Sequence, residues 1–281
     1  MYIFSYFKTG AEELFLATSN DGLNWEDFNK GEPVFSSSVG TKTIRDPFII
    51  QDRQGMFHLL WTNGWNSQSI GYARSENLVD WRDERLLPVM EGVPLTKNCW
   101  APEAYFDVDE QQYRLIWSST VGEKDRDHRI WSVATSDFIH YSEPELFFDP
   151  GYNVIDSTVI TTDEQKHYMF FKDERGLNDP GTEFKAIRSC QFSTINGNRI
   201  FHETSDLLTS ELTEGPTVFS VQNEDNHERW MMFVDPFRKP GYEIVESIDL
   251  KHWTDISSSV KLPAGPRHGS VIYARNLEGE M

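Results

Sequence analysis

Cysteine is nearly missing from this chain: Cys99 and Cys190 are the only two in 281 residues. They fall on different predicted repeats, so a disulfide framework is excluded as the basis of the fold and buried free thiols are expected. No Cys/His spacing resembles a zinc site. Basic residues are also scarce. With 26 Lys and Arg against 45 Asp and Glu, the formal net charge is −19, which argues against nucleic acid, whose phosphates need basic patches, and against anionic membrane surfaces. A neutral sugar is compatible with that charge, although an acidic balance is first of all a solubility property. No run approaches the ~20 apolar residues that span a bilayer, and no low-complexity stretch or linker divides the chain. Met1 to Phe7 reads as a strand and lacks the basic start and long apolar region of a secretory leader. The chain as given is therefore expected to be cytoplasmic, or secreted or periplasmic if a leader has been removed.

What the chain does have is a repeat. Five strand-like segments start alike: Asp46-Pro47-Phe48-Ile49-Ile50, Ala101-Pro102-Glu103-Ala104-Tyr105, Asp156-Ser157-Thr158-Val159-Ile160, Gly215-Pro216-Thr217-Val218-Phe219 and His268-Gly269-Ser270-Val271-Ile272. Their first residues, 46, 101, 156, 215 and 268, are 55, 55, 59 and 53 positions apart. A period of this size in strand-like sequence suggests a propeller with one blade per repeat. Aromatics at 14% suit such a β-rich fold, where bulky side chains fill the space between sheets.

Each unit continues with hairpin grammar. A polar turn (Asp52 to Gly55, Asp109 to Gln112, Asp163 to Lys166, Glu224 to His227) leads to a second strand (Met56–Trp61, Tyr113–Trp117, His167–Phe171, Arg229–Val234). A later signature supports the period. Ala17 to Trp25, with Ser19, returns as Ala73 to Trp81 with Ser75, as Ala134 to Tyr141 with Ser136 and one residue shorter, and as Val245 to Trp253 with Ser247. A degenerate copy is expected between Ile187 and Leu208. The chain starts without an inner strand and ends with a lone one, so residues 268–274 should pair with the N-terminal strands and close the ring, which removes two open sheet edges. The expectation is an all-β, five-bladed β-propeller forming one domain over residues 1–281.

Phase then singles out three acids. Asp46 and Asp156 open their repeats, and Glu214 lies one residue before its repeat position. In a propeller these points ring the axis, so the three carboxylates should converge on one pocket. Cleavage of a glycosidic bond by inversion needs a general acid for the leaving oxygen and a general base for water on the opposite face. Asp46 and Glu214 can face one another, with Asp156 placed to orient Glu214 and keep it protonated. The bland alternative is that these acids pair with Arg45 and Arg267, which share their phase. Trp61 and Trp117 sit mid-strand and read as core. Trp65, after Asn63-Gly64, and Trp100, before the second inner strand, are candidate sugar contacts. The run Lys172 to Arg175 reads as a solvated loop, with Lys172 within reach of the mouth.

The set Arg45-Asp46-Pro47-Phe48-Ile49, Trp100-Ala101-Pro102-Glu103, Val154 to Val159, Glu214-Gly215-Pro216-Thr217 and Arg267-His268-Gly269-Ser270 resembles glycoside hydrolase family 43, in order and spacing over essentially the whole chain. The resemblance implies a five-bladed propeller and inverting hydrolysis, mainly of arabinofuranosides and xylosides in plant cell-wall oligo- or polysaccharides. Position by position it implies Asp46 as general base, Glu214 as general acid and Asp156 as the acid that tunes pKa and orientation. It places His268 near the axis and Trp100 at a wall of the sugar subsite; Trp65, Arg45 and Arg267 are further candidate substrate contacts. His268 matches a last-blade histidine that often holds a water-ligated metal, commonly calcium, near the axis; no cofactor is otherwise required. Blade-closing sequence precedes the base here, and the leader of many relatives is missing.

Other readings stay open on sequence alone. Fructoside-acting propellers also use three carboxylates, but their earlier-blade Asn-Asp-Pro-like segment is not found. A phosphorylase would need a phosphate cluster, for which Lys42, Arg45 and Arg267 are weak candidates. A non-catalytic carbohydrate-binding propeller or a protein scaffold has no need of a paired acid and base. The sugar released, exo or endo action and oligomeric state are not readable.

Overall fold

The computed structural model describes residues 1–176, 185–195, 198–222 and 228–275. In chain order its strands are β1 to β3 (Tyr2–Lys8, Ala11–Ser19, Glu26–Asp27), β4 to β7 (Arg45–Gln51, Phe57–Thr62, Ile70–Ser75, Arg82–Leu87) and β8 to β11 (Trp100–Asp107, Gln112–Thr120, His128–Thr135, Glu145–Phe148). They continue with β12 to β15 (Val154–Thr161, His167–Asp173, Ala186–Ile195, Asn198–Phe201), β16 to β19 (Glu214–Gln222, Glu228–Asp235, Glu243–Ser247, Thr254–Asp255) and β20 (Pro266–Tyr273). They form five four-stranded sheets. The first strands of the repeats, β4, β8, β12, β16 and β20, touch one another in cyclic order. This is the expected five-bladed ring.

Closure follows the reading of the termini. β20 pairs antiparallel with β1, with Ile3 opposite Ile272 and Phe4 opposite Val271, and the Ala274 N–H reaches the Met1 carbonyl. The hairpin turns form where expected; in the first, Asp52 Oδ1 accepts the N–H groups of Gln54 and Met56. The turn at Glu224 to His227 lies outside the described residues.

The Ser-containing signature is a turn built from side-chain acceptors. Ser19 Oγ accepts from Asp21 and Gly22, and Ser247 Oγ from Asp249 and Leu250. The third copy uses Thr135, whose Oγ1 accepts from Asp137 and Phe138. Its hydroxyl is thus Thr135 and not Ser136, and the copy has full length. Threonine supplies the same acceptor, which hid the alignment. Asp21, Asn77, Asp137 and Asp249 each accept, through Oδ1, the N–H groups two and three residues on. Between Ile187 and Leu208 the signature gives way to direct β14–β15 pairing, with Ile195 opposite Asn198.

Aromatics fill the seams between blades, as expected. Trp61 and Trp117 are fully buried, and Trp117 packs with Leu60, Tyr72 and Phe138 between two neighbouring blades. Each such side chain contributes roughly 1.5–3 kcal/mol relative to exposure. Cys99 and Cys190 are buried free thiols, and burial pushes both up to about 12.

Candidate active site

The inner strands share a local distortion at the axis. Pairing register shifts between Arg45 and Phe48, Trp100 and Glu103, Ile155 and Thr158, and Glu214 and Thr217. Within these bulges Asp46, Ala101, Asp156 and Gly215 adopt φ of +49°, +45°, +51° and +58°. Such angles are unfavourable for residues other than glycine, and a bulge re-aims the side chains beside it. The three strained residues, Asp46, Ala101 and Asp156, and Gly215 are the first residues of four of the five sequence repeats. Backbone strain held at equivalent points of several blades is a mark of a functional site.

These bulges bring Asp46, Asp156 and Glu214, and β20 brings His268, to one cavity of about 380 Å3. Asp46 Oδ2 accepts a 2.6 Å bond from Thr62 Oγ1, which in turn accepts the Ala101 N–H at 2.7 Å. Because Thr62 is already an acceptor from the backbone, its own proton points at Asp46, which is held as an acceptor. Asp46 Oδ1 lies 3.3 Å from His268 Nδ1. Asp156 Oδ2 is 3.9 Å from the same nitrogen and accepts the Gly215 N–H at 3.3 Å. Asp156 is thereby tied to the backbone next to Glu214. Gly215 itself is required by close approach as well as by φ: a Cβ there would lie 2.4 Å from the His268 ring.

The charges are strongly coupled. Burial pushes Asp156 up to about 7; Glu214 and Asp46 add to this, while His268 and Lys172 oppose it. Burial alone would lower the His268 imidazole, but Asp46, Asp156, Glu214 and Asp235 around it outweigh that and raise it. Glu214 Oε2 accepts a 2.8 Å bond from Lys172 Nζ. Lys172 also meets Glu174 at 3.0 Å. Burial opposes its charge, yet Glu214, Glu174 and Asp156 together raise its pKa. The run from Lys172 is thus no solvated loop: Lys172, Asp173 and Glu174 are buried. It ends β13, whose alternation carries Lys172 to the axis. Nothing in the local composition distinguishes this from a surface loop.

Glu103 is a fourth buried acid, legible only as part of the Ala-Pro-Glu motif. Burial pushes it up to about 8; Asp156 adds to this, while a hydrogen bond from Thr158 and the charge of His268 oppose it. The folded protein keeps this proton when the unfolded chain releases it, near 4.5. The stability Glu103 contributes is therefore present at low pH and lost as pH rises from about 4.5 towards 8. The Glu103→Gln substitution should flatten the dependence of Tm on pH across that window. Above pH ~8 the variant should exceed the wild type by on the order of 1 kcal/mol or more, about 2–4 °C. Parallel Tm–pH curves for the two proteins would contradict this assignment.

The wall is aromatic. Trp65 is 63% exposed, stands edge-on to Trp100 at 5.8 Å, and its carbonyl accepts the Trp100 Nε1–H at 2.9 Å. Arg45 stacks 4.9 Å from the Trp65 ring and pairs with Glu12 at 2.5 Å. Arg45, Trp65, Trp100 and His268 all line the cavity with the three acids. Arg267 does not: its guanidinium donates to Asp235 at 2.8 Å and to the Phe237 carbonyl. The two arginines are thus engaged by Glu12 and Asp235, and ion pairing with them does not account for Asp46, Asp156 and Glu214. Lys172, read as within reach of the mouth, lines the cavity, as do Thr62 and Glu174, which carried no sequence signal because each lies at or beyond the end of a second strand.

A calcium ion wants six to eight oxygen ligands, and a histidine binds metal as neutral imidazole. The His268 Nδ1 lies 3.3 Å from Asp46 Oδ1 and 3.9 Å from Asp156 Oδ2, and the carboxylates around the imidazole raise its pKa, which opposes metal binding through that nitrogen.

A family model described as "Probable glycosyl hydrolase domain", related to glycoside hydrolase family 43, matches residues 1–280. The chain belongs to that family. This glycosyl hydrolase domain is 25% identical over 268 residues to an α-L-arabinofuranosidase of Bifidobacterium longum subsp. longum. The match covers 83% of the chain and 24% of that protein, so the domain spans about a quarter of the length of the curated relative. Among solved structures, the α-L-arabinanase of Cellvibrio cellulosa complexed with arabinohexaose superposes with a TM-score of 0.61 at 13% identity, covering 92% of each chain. A thermostable family-43 glycoside hydrolase superposes with a TM-score of 0.60 at 19% identity, covering 84% of this domain and 81% of that chain. At these identities the superpositions establish the common propeller fold.

Proposed function

We propose that this glycosyl hydrolase domain is an inverting, exo-acting α-L-arabinofuranosidase, with β-D-xylosides as second substrates. The observation that carries the reading is the convergence of Asp46, Asp156 and Glu214, from three blades, on one cavity walled by Trp65 and Trp100. Asp46 is the general base. Held as an acceptor by Thr62, it takes a proton from water as the water oxygen attacks the anomeric carbon. Glu214 is the general acid. It gives its proton to the leaving oxygen as the glycosidic bond breaks, and the carboxylate left behind is stabilised by Lys172. Asp156 orients Glu214 through the Gly215 N–H. The anomeric configuration inverts because attack and departure occur on opposite faces. Trp65 and Trp100 give apolar faces for a sugar ring. Arabinose is favoured by the names of the relatives, an arabinofuranosidase and an arabinanase bound to arabinohexaose.

Hydrolysis of aryl α-L-arabinofuranoside, β-D-xyloside, β-D-galactoside and β-fructoside donors tests this. The arabinofuranoside should give the highest kcat/KM. Turnover confined to the galactoside or fructoside donor, or none on any donor or on arabino-oligosaccharides, would overturn it.

A further inference from the structure

A second cluster of ionisable groups lies six residues along β8 from Ala101, about 20 Å away at the rise of an extended strand. It joins two blades at the far end of the inner strands. Asp107 ends β8, Asp109 follows in the turn to β9, and His167 opens β13 of the next blade. One Asp107 oxygen, Oδ1, accepts the N–H groups of Asp109 and Glu110 at 3.0 and 3.1 Å. The other, Oδ2, is buried without a hydrogen-bond partner. His167 is 1% exposed. Its ring lies parallel to Phe192 at 5.0 Å, and Nδ1 is bonded to Thr161 Oγ1 at 2.9 Å. Its Nε2 is also buried without a partner.

Two buried polar atoms from different blades, in residues that cluster together, are therefore left with nothing to bond to. Asp109 Oδ2 lies 3.9 Å from His167 Nε2. One carboxylate oxygen of each aspartate and a ring nitrogen of His167 lie within 4.8 Å of one another. At 3.9 Å the imidazole and Asp109 are too far apart for a hydrogen bond. In the tautomer that carries its proton on Nδ1 and donates it to Thr161 Oγ1, the imidazole presents its Nε2 lone pair to the carboxylates. That arrangement is repulsive unless a cation sits between them. A hydrogen-bonded Nδ1 with a free Nε2 is also how metal-binding histidines are oriented by their surroundings.

We propose that Asp107, Asp109 and His167 form a binding site for a divalent transition-metal ion of the Zn2+ class, which pins the β8–β9 turn to β13 across the blade interface. One imidazole nitrogen and two carboxylate oxygens suit such an ion. Bonds of about 2.0–2.2 Å draw the donors closer than they now lie. Asp109, half exposed at the surface, supplies that movement, and its open side admits the ion and a water ligand. The site is remote from the sugar cavity and independent of the reaction assigned there.

The test reads stability, not turnover. Protein stripped with a chelator and dialysed is titrated with Zn2+ while Tm is followed, with calorimetry for the stoichiometry. Tm should rise by roughly 5–10 °C at a hundredfold excess over Kd, with one ion per chain. The Asp109→Asn substitution, at an exposed turn position that leaves the fold intact, should weaken binding at least tenfold. His167→Gln should abolish the shift. An unchanged or lowered Tm in wild type with Zn2+, Mn2+ and Co2+ would overturn the proposal. So would an equal shift in Asp109→Asn, which would place the ion elsewhere.

Discussion

The Glu214→Gln substitution is expected to lower kcat/KM on arabino-oligosaccharides by about 10^3-fold, within the range general acids contribute. An alkoxide leaving group cannot depart without a proton, and glutamine has none to give. The substitution is close to isosteric. The amide oxygen still accepts from Lys172 Nζ, now 2.8 Å from Oε2, and Lys172 keeps its contact with Glu174, so the buried ammonium is not stranded. The loss should depend on the leaving group. A dinitrophenyl donor, whose phenolate leaves unaided, should lose far less than the oligosaccharide. A uniform loss across leaving groups would mean that Glu214 binds or positions the sugar. An unchanged rate would remove it from the chemistry altogether. Lys172 sharpens the expectation: an ammonium beside the acid stabilises the carboxylate formed on proton donation, so Lys172→Met should also cost most where the leaving group is poorest.

The sequence makes some of this site visible and hides the rest for identifiable reasons. The ring, its closure by β20 on β1, and the phase of Asp46, Asp156 and Glu214 were legible because one supersecondary unit recurs and equivalent positions must open on the axis. Trp100, Arg45 and His268 follow from the same phase and Trp65 from its loop after Asn63-Gly64, and the structure brings all four to the cavity. Arg267 shares that phase too, but the buried carboxylate of Asp235 draws its guanidinium away. The run from Lys172 to Arg175 was misread as a solvated loop, though Lys172 does reach the cavity, because charged residues at a strand end look like a turn until the groups that neutralise them are known. Thr135 was missed because a turn reads hydroxyl geometry, not residue identity. The Asp107–Asp109–His167 cluster joins residues from two blades, and its nearest members are two residues apart with no recognisable spacing. Contacts between repeats are what a periodic sequence conceals, since the period describes each unit and not its neighbour.

The Asp46→Asn substitution should reduce kcat by about 10^3-fold or more while KM changes little, because a base that activates water acts in the transition state and not in sugar binding. The amide keeps an acceptor for Thr62, so the cavity holds its shape. On its other side the residue now lies 3.3 Å from His268 Nδ1. Replacing that oxygen by an uncharged amide removes one of the carboxylates that raise the imidazole, and His268 should titrate at lower pH in the variant, observable by NMR. Azide distinguishes the role of Asp46 from a structural one. It needs no base, so it should restore turnover of activated α-L-arabinofuranosides and form the β-configured glycosyl azide by attack from the vacated face. Rescue with that stereochemistry places water, and hence Asp46, opposite the leaving group. An α-configured azide would instead require double displacement through a different carboxylate, since the variant has lost that of Asp46; the anomer first released by the wild type, read by NMR, separates water activation by Asp46 with inversion from nucleophilic attack by Asp46 with retention. The failure of azide to rescue a folded variant that still binds arabinose would leave Asp46 a substrate ligand and shift the search for the base to the remaining acids of the cavity, Asp156 first.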